Sequence, residues 1–198
     1  MILPIVAYGD TVLRKKTVEI PLNEDLSKLI SDMFDTMYDA NGVGLAAPQV
    51  GKSVRLFIVD ASPFAEDEAE NEEEAIEMEK LKGFKKVFIN AQINKELGDE
   101  WAFKEGCLSI PGIREEVYRK EKINITFFDE NWVKHTEEYD GFAARVIQHE
   151  YDHIEGMLFI DHINPLRRQL LKGRLNSISK GDVNVDYKMR FPVIKKGR

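Results

Sequence analysis

Leu26, Leu29, Ile30, Met33 and Met37 recur at the three-and-four spacing of one helical face, which predicts an amphipathic helix over residues 23–42. Asn23 and two acids open it, and Asn41-Gly42 closes it. The period then shortens. Residues 54–59, 86–90, 116–118 and 123–128 are short runs rich in branched and aromatic side chains, so strands should dominate the middle of the chain. Helical spacing returns at residues 139–154, where Phe142, Ala143, Val146, Ile147 and Ile154 are apolar and Gly156 is the expected stop. After Asn164-Pro165 a last helix should run from Leu166 to about Ser179.

One stretch breaks this pattern. Residues 61–80 hold nine Asp or Glu and one Lys, and such a run repels itself, so a solvated loop or poorly ordered insertion without chemistry is expected there. No internal repeat or domain boundary shows, and 198 residues with 43% hydrophobic side chains suffice for one compact domain over 1–198. Neither a signal peptide nor a membrane-spanning run is evident. A single cysteine, Cys107, excludes an intrachain disulfide and suits a reducing compartment, so the expected location is cytoplasmic. The net charge of -7 argues against DNA as a partner, but it is uneven. Residues 165–198 carry ten Lys or Arg against two Asp, a net of +8, which leaves -15 for residues 1–164.

His149-Glu150-Tyr151-Asp152-His153 is the pattern H-E-x-x-H on a predicted helix. At a step of about 100° per residue the two histidines lie some 40° apart, so both imidazoles can reach one ion. Glu150 points in a neighbouring direction, from which its carboxylate can take a proton from an attacking water and pass it to a leaving nitrogen. A chance match is the competing reading, because a lone histidine on an apolar helix is more often a core or surface residue. A third ligand decides between them. Downstream, position 159 is Phe and no glutamate follows Glu155, which removes both familiar third ligands. His162 is spaced wrongly and suits a surface or supporting role. Upstream, Cys107 in Glu105-Gly106-Cys107-Leu108-Ser109 sits in what reads as an exposed turn between strands, and its thiolate would bind a first-row metal strongly. Cys107, His149 and His153 would leave a fourth position open, as in catalytic sites.

Gly42-Val43-Gly44-Leu45-Ala46-Ala47-Pro48-Gln49-Val50-Gly51 follows the first helix. It is either a helix cap with a tight turn, or a place where small residues admit a substrate backbone and Gln49 donates to a polarised carbonyl. It lacks the spacing of a phosphate loop.

Taken together, Gly42 to Gln49, Glu105 to Ser109 and Gln148 to His153 resemble the three signature motifs of the peptide deformylases, in the same order. The opening Ile5-Val6-Ala7-Tyr8-Gly9-Asp10-Thr11-Val12-Leu13-Arg14 is similar to that family's start, so the resemblance covers about residues 2–165. It implies an α+β fold, with antiparallel strands in small sheets around a central helix carrying the H-E-x-x-H motif, plus a C-terminal helix. It also implies removal of the N-formyl group from the N-terminal methionine of newly synthesised proteins, releasing formate. Cys107, His149 and His153 would hold one divalent metal ion, Fe2+ foremost, with Ni2+, Co2+ or Zn2+ as alternatives. Glu150 would be the base and then the acid, and Gln49 with the Leu108 N–H would stabilise the oxyanion. Val43, Gly44 and Gly106 would pair with the substrate backbone, with Arg114 near its outer end. Arg119 would lie behind the site or form a surface ion pair. By the same resemblance the basic C-terminal segment could contact the ribosome through Arg167, Arg168, Lys172 and Arg174; a solvated basic helix is the plainer reading. Two rivals stand beside this: an endopeptidase, which the missing downstream ligand disfavours, and a binding protein that has kept the fold.

Overall fold

The computed structural model describes residues 1–66 and 71–193. Five strands form one antiparallel sheet in the order β2 (Gly44–Ala46), β3 (Leu56–Asp60), β4 (Lys85–Cys107), β5 (Ile110–Phe128) and β6 (Lys134–Asp140). Two helices cover opposite faces of its β2–β4 part. Along β3 every residue is buried, with Leu56 and Ile58 facing α1 (Ser27–Asp39) and Phe57 and Val59 facing α3 (Gly141–Ile154). A strand covered on both sides loses its alternation, which is why the sequence shows a continuous apolar run here. α3 is the helix of the H-E-x-x-H motif, and it packs Ala143, Ala144, Ile147 and Ile154 against Phe57, Phe88 and Ile125.

A third cluster seats α4 (Pro165–Ser179) through Leu171, Leu175 and Ile178 against Val6, Leu13, Ile110, Ile113 and Val117. Past α4, β7 (Met189–Arg190) pairs in parallel with β1 (Ile5–Val6) as a separate two-stranded sheet beside the antiparallel one. Among the described residues no helix is long and apolar enough to cross a membrane.

Several elements depart from expectation. The runs at 116–118 and 123–128 are parts of the single strand β5, and β4 extends through residues 91–107, which carried no strand signal. β6 was also without signal. Asn, Gly, Lys and Glu dominate the exposed middle of the β4–β5 hairpin, so its strands are held by pairing to each other rather than by burial. α1 starts at Ser27, whose N–H donates to Asp25 Oδ1 at 3.0 Å, whereas Asn23 has a positive φ of 63° outside the helix. Its other end agrees: Asn41 has φ 52°, and the Gly42 N–H reaches back to the Met37 carbonyl at 2.8 Å.

The acidic segment is not a loop throughout. Ser62–Glu66 forms a short 3-10 turn and Glu72–Leu81 is a helix, α2. Glu, Ala, Met and Leu are good helix formers, Leu81 is buried, and Glu77 has a partner: its Oε1 accepts the Phe142 N–H at 2.7 Å, at the N-terminus of α3. Gly141, with φ 54°, has no Cβ to obstruct that carboxylate.

Candidate metal centre and cleft

Cys107 ends β4, and the two-residue turn Leu108-Ser109 leads into β5. This turn is folded in rather than exposed: Ser109 is fully buried, and only Gly106, Cys107 and Leu108 keep partial access. One turn of α3 presents His149 and His153 to the same point. Cys107 Sγ lies 3.3 Å from His153 Nε2, and the ligand atoms of Cys107, His149 and His153 lie within 4.8 Å of one another. The 3.3 Å separation is about the edge of a tetrahedron with metal bonds of about 2.0–2.3 Å, and one thiolate with two imidazoles is a donor set that such an ion would accept. Burial would raise the thiol's pKa, but the two imidazoles pull it down to about 5, so the sulfur is ready as a thiolate.

The tautomer of His149 is set from behind. Its Nδ1 lies 2.9 Å from Glu105 Oε2, which leaves Nε2 for an ion, the arrangement in which a carboxylate orients a ligating imidazole. Glu105 is itself clamped: Arg119 donates to both oxygens at 2.7 and 3.0 Å, and Arg145 adds a bond at 3.0 Å. Burial alone would raise its pKa, but His149 and Arg119 hold it well below the usual carboxylate range. Arg119 also donates to Asp152 at 2.7 Å, and His162 meets the same Asp152 oxygen at 2.7 Å. Arg119 is therefore buried within the site's support and makes no surface ion pair. His162 takes the supporting place.

Glu150 is 4% exposed, and its Oε2 has no hydrogen-bond partner among the described residues. Burial pushes its pKa up to about 7, in the range of a group that can both accept and return a proton. Gly44 lies against it: a Cβ there would stand 2.5 Å from Glu150 Oε1. The missing side chain at position 44 makes room for the base, a reason other than the substrate access expected from sequence. Gln49 is buried, and its Oε1 accepts the Ala46 N–H at 2.8 Å. That fixes the amide so that Nε2 faces Cys107 Sγ and Ser109 Oγ, each at 3.4 Å.

These groups open onto a cleft of about 530 Å³ that also includes Val43, Gly44, Gly106, Leu108 and Arg114. Every site residue expected from sequence thus lines the cleft except His153, which lies behind it as a buried donor to the same centre. Arg114 is exposed and lies along Gly106. Phe64, from the acidic segment, packs against Phe142 in the cleft wall, their ring centres 4.1 Å apart and the planes tilted by 59°. Tyr187, beyond α4, also lines it and donates to the Leu108 carbonyl. Sequence reasoning missed Glu105 and Arg145 as partners, although a charged residue among the apolar positions of α3 was a usable signal. Nothing in the pattern marked Tyr187. On α4, Arg167 pairs with Glu115, Arg168 with Asp161, and Arg174 with the Gly112 carbonyl, while Lys172 is exposed.

Known proteins resemble this chain over most of its length. Residues 2–169 match the family model described as polypeptide deformylase. The chain is 59% identical to a peptide deformylase of Christiangramia forsetii and 53% identical to one of Flavobacterium johnsoniae, in each case over the full length of both chains. A crystal structure of a peptide deformylase from Legionella pneumophila superposes with a TM-score of 0.74 at 36% identity, covering 92% of this chain and 98% of that one.

Proposed function

Because the chain belongs to the polypeptide deformylase family and is an enzyme of that kind, we propose that it hydrolyses the formyl group from N-terminal methionine of nascent polypeptides in the cytoplasm, using one divalent metal ion. Carrying this reading is the convergence of Cys107, His149 and His153 beside the unpaired carboxylate of Glu150. One thiolate and two imidazoles suit Fe2+, Ni2+, Co2+ or Zn2+, and Fe2+ is the ion we assign. When bound, such an ion supplies a Lewis acid and makes water a nucleophile near neutral pH.

The chain's own residues do the rest. A substrate backbone lies along Val43, Gly44 and Gly106 as an added strand, with Arg114 at its outer end. Val43, Phe103, Phe142 and Val146 offer the first side chain an apolar wall, which suits methionine. Glu150 removes a proton from water as its oxygen bonds to the formyl carbon, and Gln49 Nε2 and the Leu108 N–H stabilise the oxygen that becomes negative. When the C–N bond breaks, Glu150 returns the proton to the departing amine and formate leaves.

The test is formate release from a formyl-Met peptide by protein purified without oxygen, wild type beside Glu150→Ala. Wild type should turn over, and the variant should lose at least about 10²-fold in kcat, the usual scale of a lost general base. An inactive wild type with its metal bound, or an unimpaired variant, would sink the mechanism.

A further inference from the structure

Residues near 5 and near 190 meet beside the cleft. β1 and β7 pair in parallel, Ile5 opposite Met189 and Val6 opposite Arg190. Just outside this pairing, each strand's continuation donates one hydrogen bond to the turn after Cys107. The Tyr8 N–H donates to the Ser109 carbonyl at 2.8 Å, and the Tyr187 hydroxyl donates to the Leu108 carbonyl at 2.7 Å. Consecutive carbonyls of one two-residue turn are thus held from the two strands of one small sheet.

The segment that carries Tyr187 is placed to do this. From Val183 to Met189 alternate residues are partly buried and exposed, with Val183, Val185, Tyr187 and Met189 turned inward. Val183, Met189 and Phe191 pack on the cluster that seats α4, so the tyrosine stands on a fixed base. On its far side the turn abuts α1's end, since a Cβ at Gly42 would lie 2.8 Å from Leu108 Cδ1. Cys107 and Ile110 pair across the turn and pin both its ends. The Tyr187 hydroxyl fixes the Leu108–Ser109 peptide and with it ψ of Leu108; the Leu108 N–H belongs to the preceding peptide, whose other end is pinned at Cys107, so the two restraints together leave that N–H little freedom.

We propose that Tyr187 is a positioning residue: by holding the Leu108 carbonyl it keeps the Leu108 N–H aimed at the oxygen that becomes charged during hydrolysis. The proposal rests on the deformylase reading of the cleft. It gives the segment after α4 a part in the reaction, one that acts through the turn.

Tyr187→Phe deletes the hydroxyl and keeps the ring. Complete loss of one oxyanion donor costs about 10²–10³ in rate, and a misaimed donor should cost less. In the full-length protein kcat for a formyl-Met peptide should fall about tenfold while KM stays within about twofold, because the donor matters in the transition state and little in the ground state. Bound metal, by elemental analysis, and the melting curve should match wild type. Wild-type kcat in the variant would overturn the proposal alone. So would a kcat loss that tracks lost metal or lost folded fraction, since the hydroxyl would then serve Cys107 or the fold. A wild type that releases no formate would instead overturn the deformylase reading, and this proposal with it.

Discussion

A methyl group at position 44 would stand 2.5 Å from Glu150 Oε1 and 2.7 Å from its Cγ, so the base and the glycine define each other's place. Gly44→Ala should push the carboxylate aside by something on the order of 1 Å, a misplacement that can cost about 10²-fold in rate. Formate release should fall on that scale with bound metal unchanged by elemental analysis; an unimpaired variant would show that the carboxylate tolerates the shift. At this scale the sequence was informative where the chemistry is local. His149, Glu150 and His153 share one helical turn, and Gln49 and Cys107 sit in short motifs. Glu105 was quoted within its motif yet its part was not legible, because its partners Arg119, Arg145 and His149 lie 14 to 44 positions away. Burial is what makes that cluster matter: two guanidiniums and two carboxylates neutralise one another where water cannot.

Helix α3 owes its entry to another element. Its first free N–H groups would be orphans, and α2 supplies Glu77 to one of them, with the negative charge at the favourable end of the helix dipole. Glu77→Ala should cost about 1 kcal/mol, the usual worth of such a cap, read as a lower urea midpoint with an unchanged slope. A variant as stable as wild type would mean that water replaces the carboxylate without penalty. The acidic segment's charge density masks its good helix formers, and the contacts that seat α2, Glu77 with the Phe142 N–H and Lys80 with Asp140, come from far along the chain. β6 and the middle of the β4–β5 hairpin were illegible for a related reason. Their strand character comes from a neighbour's hydrogen bonds, whereas α1 and β3 announce themselves through buried faces.

For the whole molecule, the candidate ligands come from two separately built parts, the end of β4 and the C-terminal half of α3, so an ion bound there ties the sheet to its covering helix. Removing it should loosen both. At a free ion concentration of about 100 times Kd, binding stabilises by about 2.7 kcal/mol, which for a chain of this size moves Tm by roughly 5–10 °C. Chelation should therefore lower the melting temperature of wild type by that order, and Cys107→Ser should carry no metal and show no chelator effect. A Tm indifferent to chelator in metal-loaded wild type would sever ion binding from the fold. The α+β plan and the central position of the motif-bearing helix followed from the resemblance of the three motifs to the deformylases, whereas periodicity showed the separate helices and strands. The return of the chain beyond α4 was not legible, because a two-residue strand has no period to detect.

The parallel pairing of Ile5–Val6 with Met189–Arg190 also puts a clock into the molecule's own synthesis. Ile5–Val6 must wait for a partner made 184 positions later, and at 5–20 residues per second that delay is roughly 10–40 s. Throughout it the turn after Cys107 lacks the tyrosine that holds its first carbonyl. The support of this turn is thus complete only once residues 187–190 have been made and have folded back onto β1.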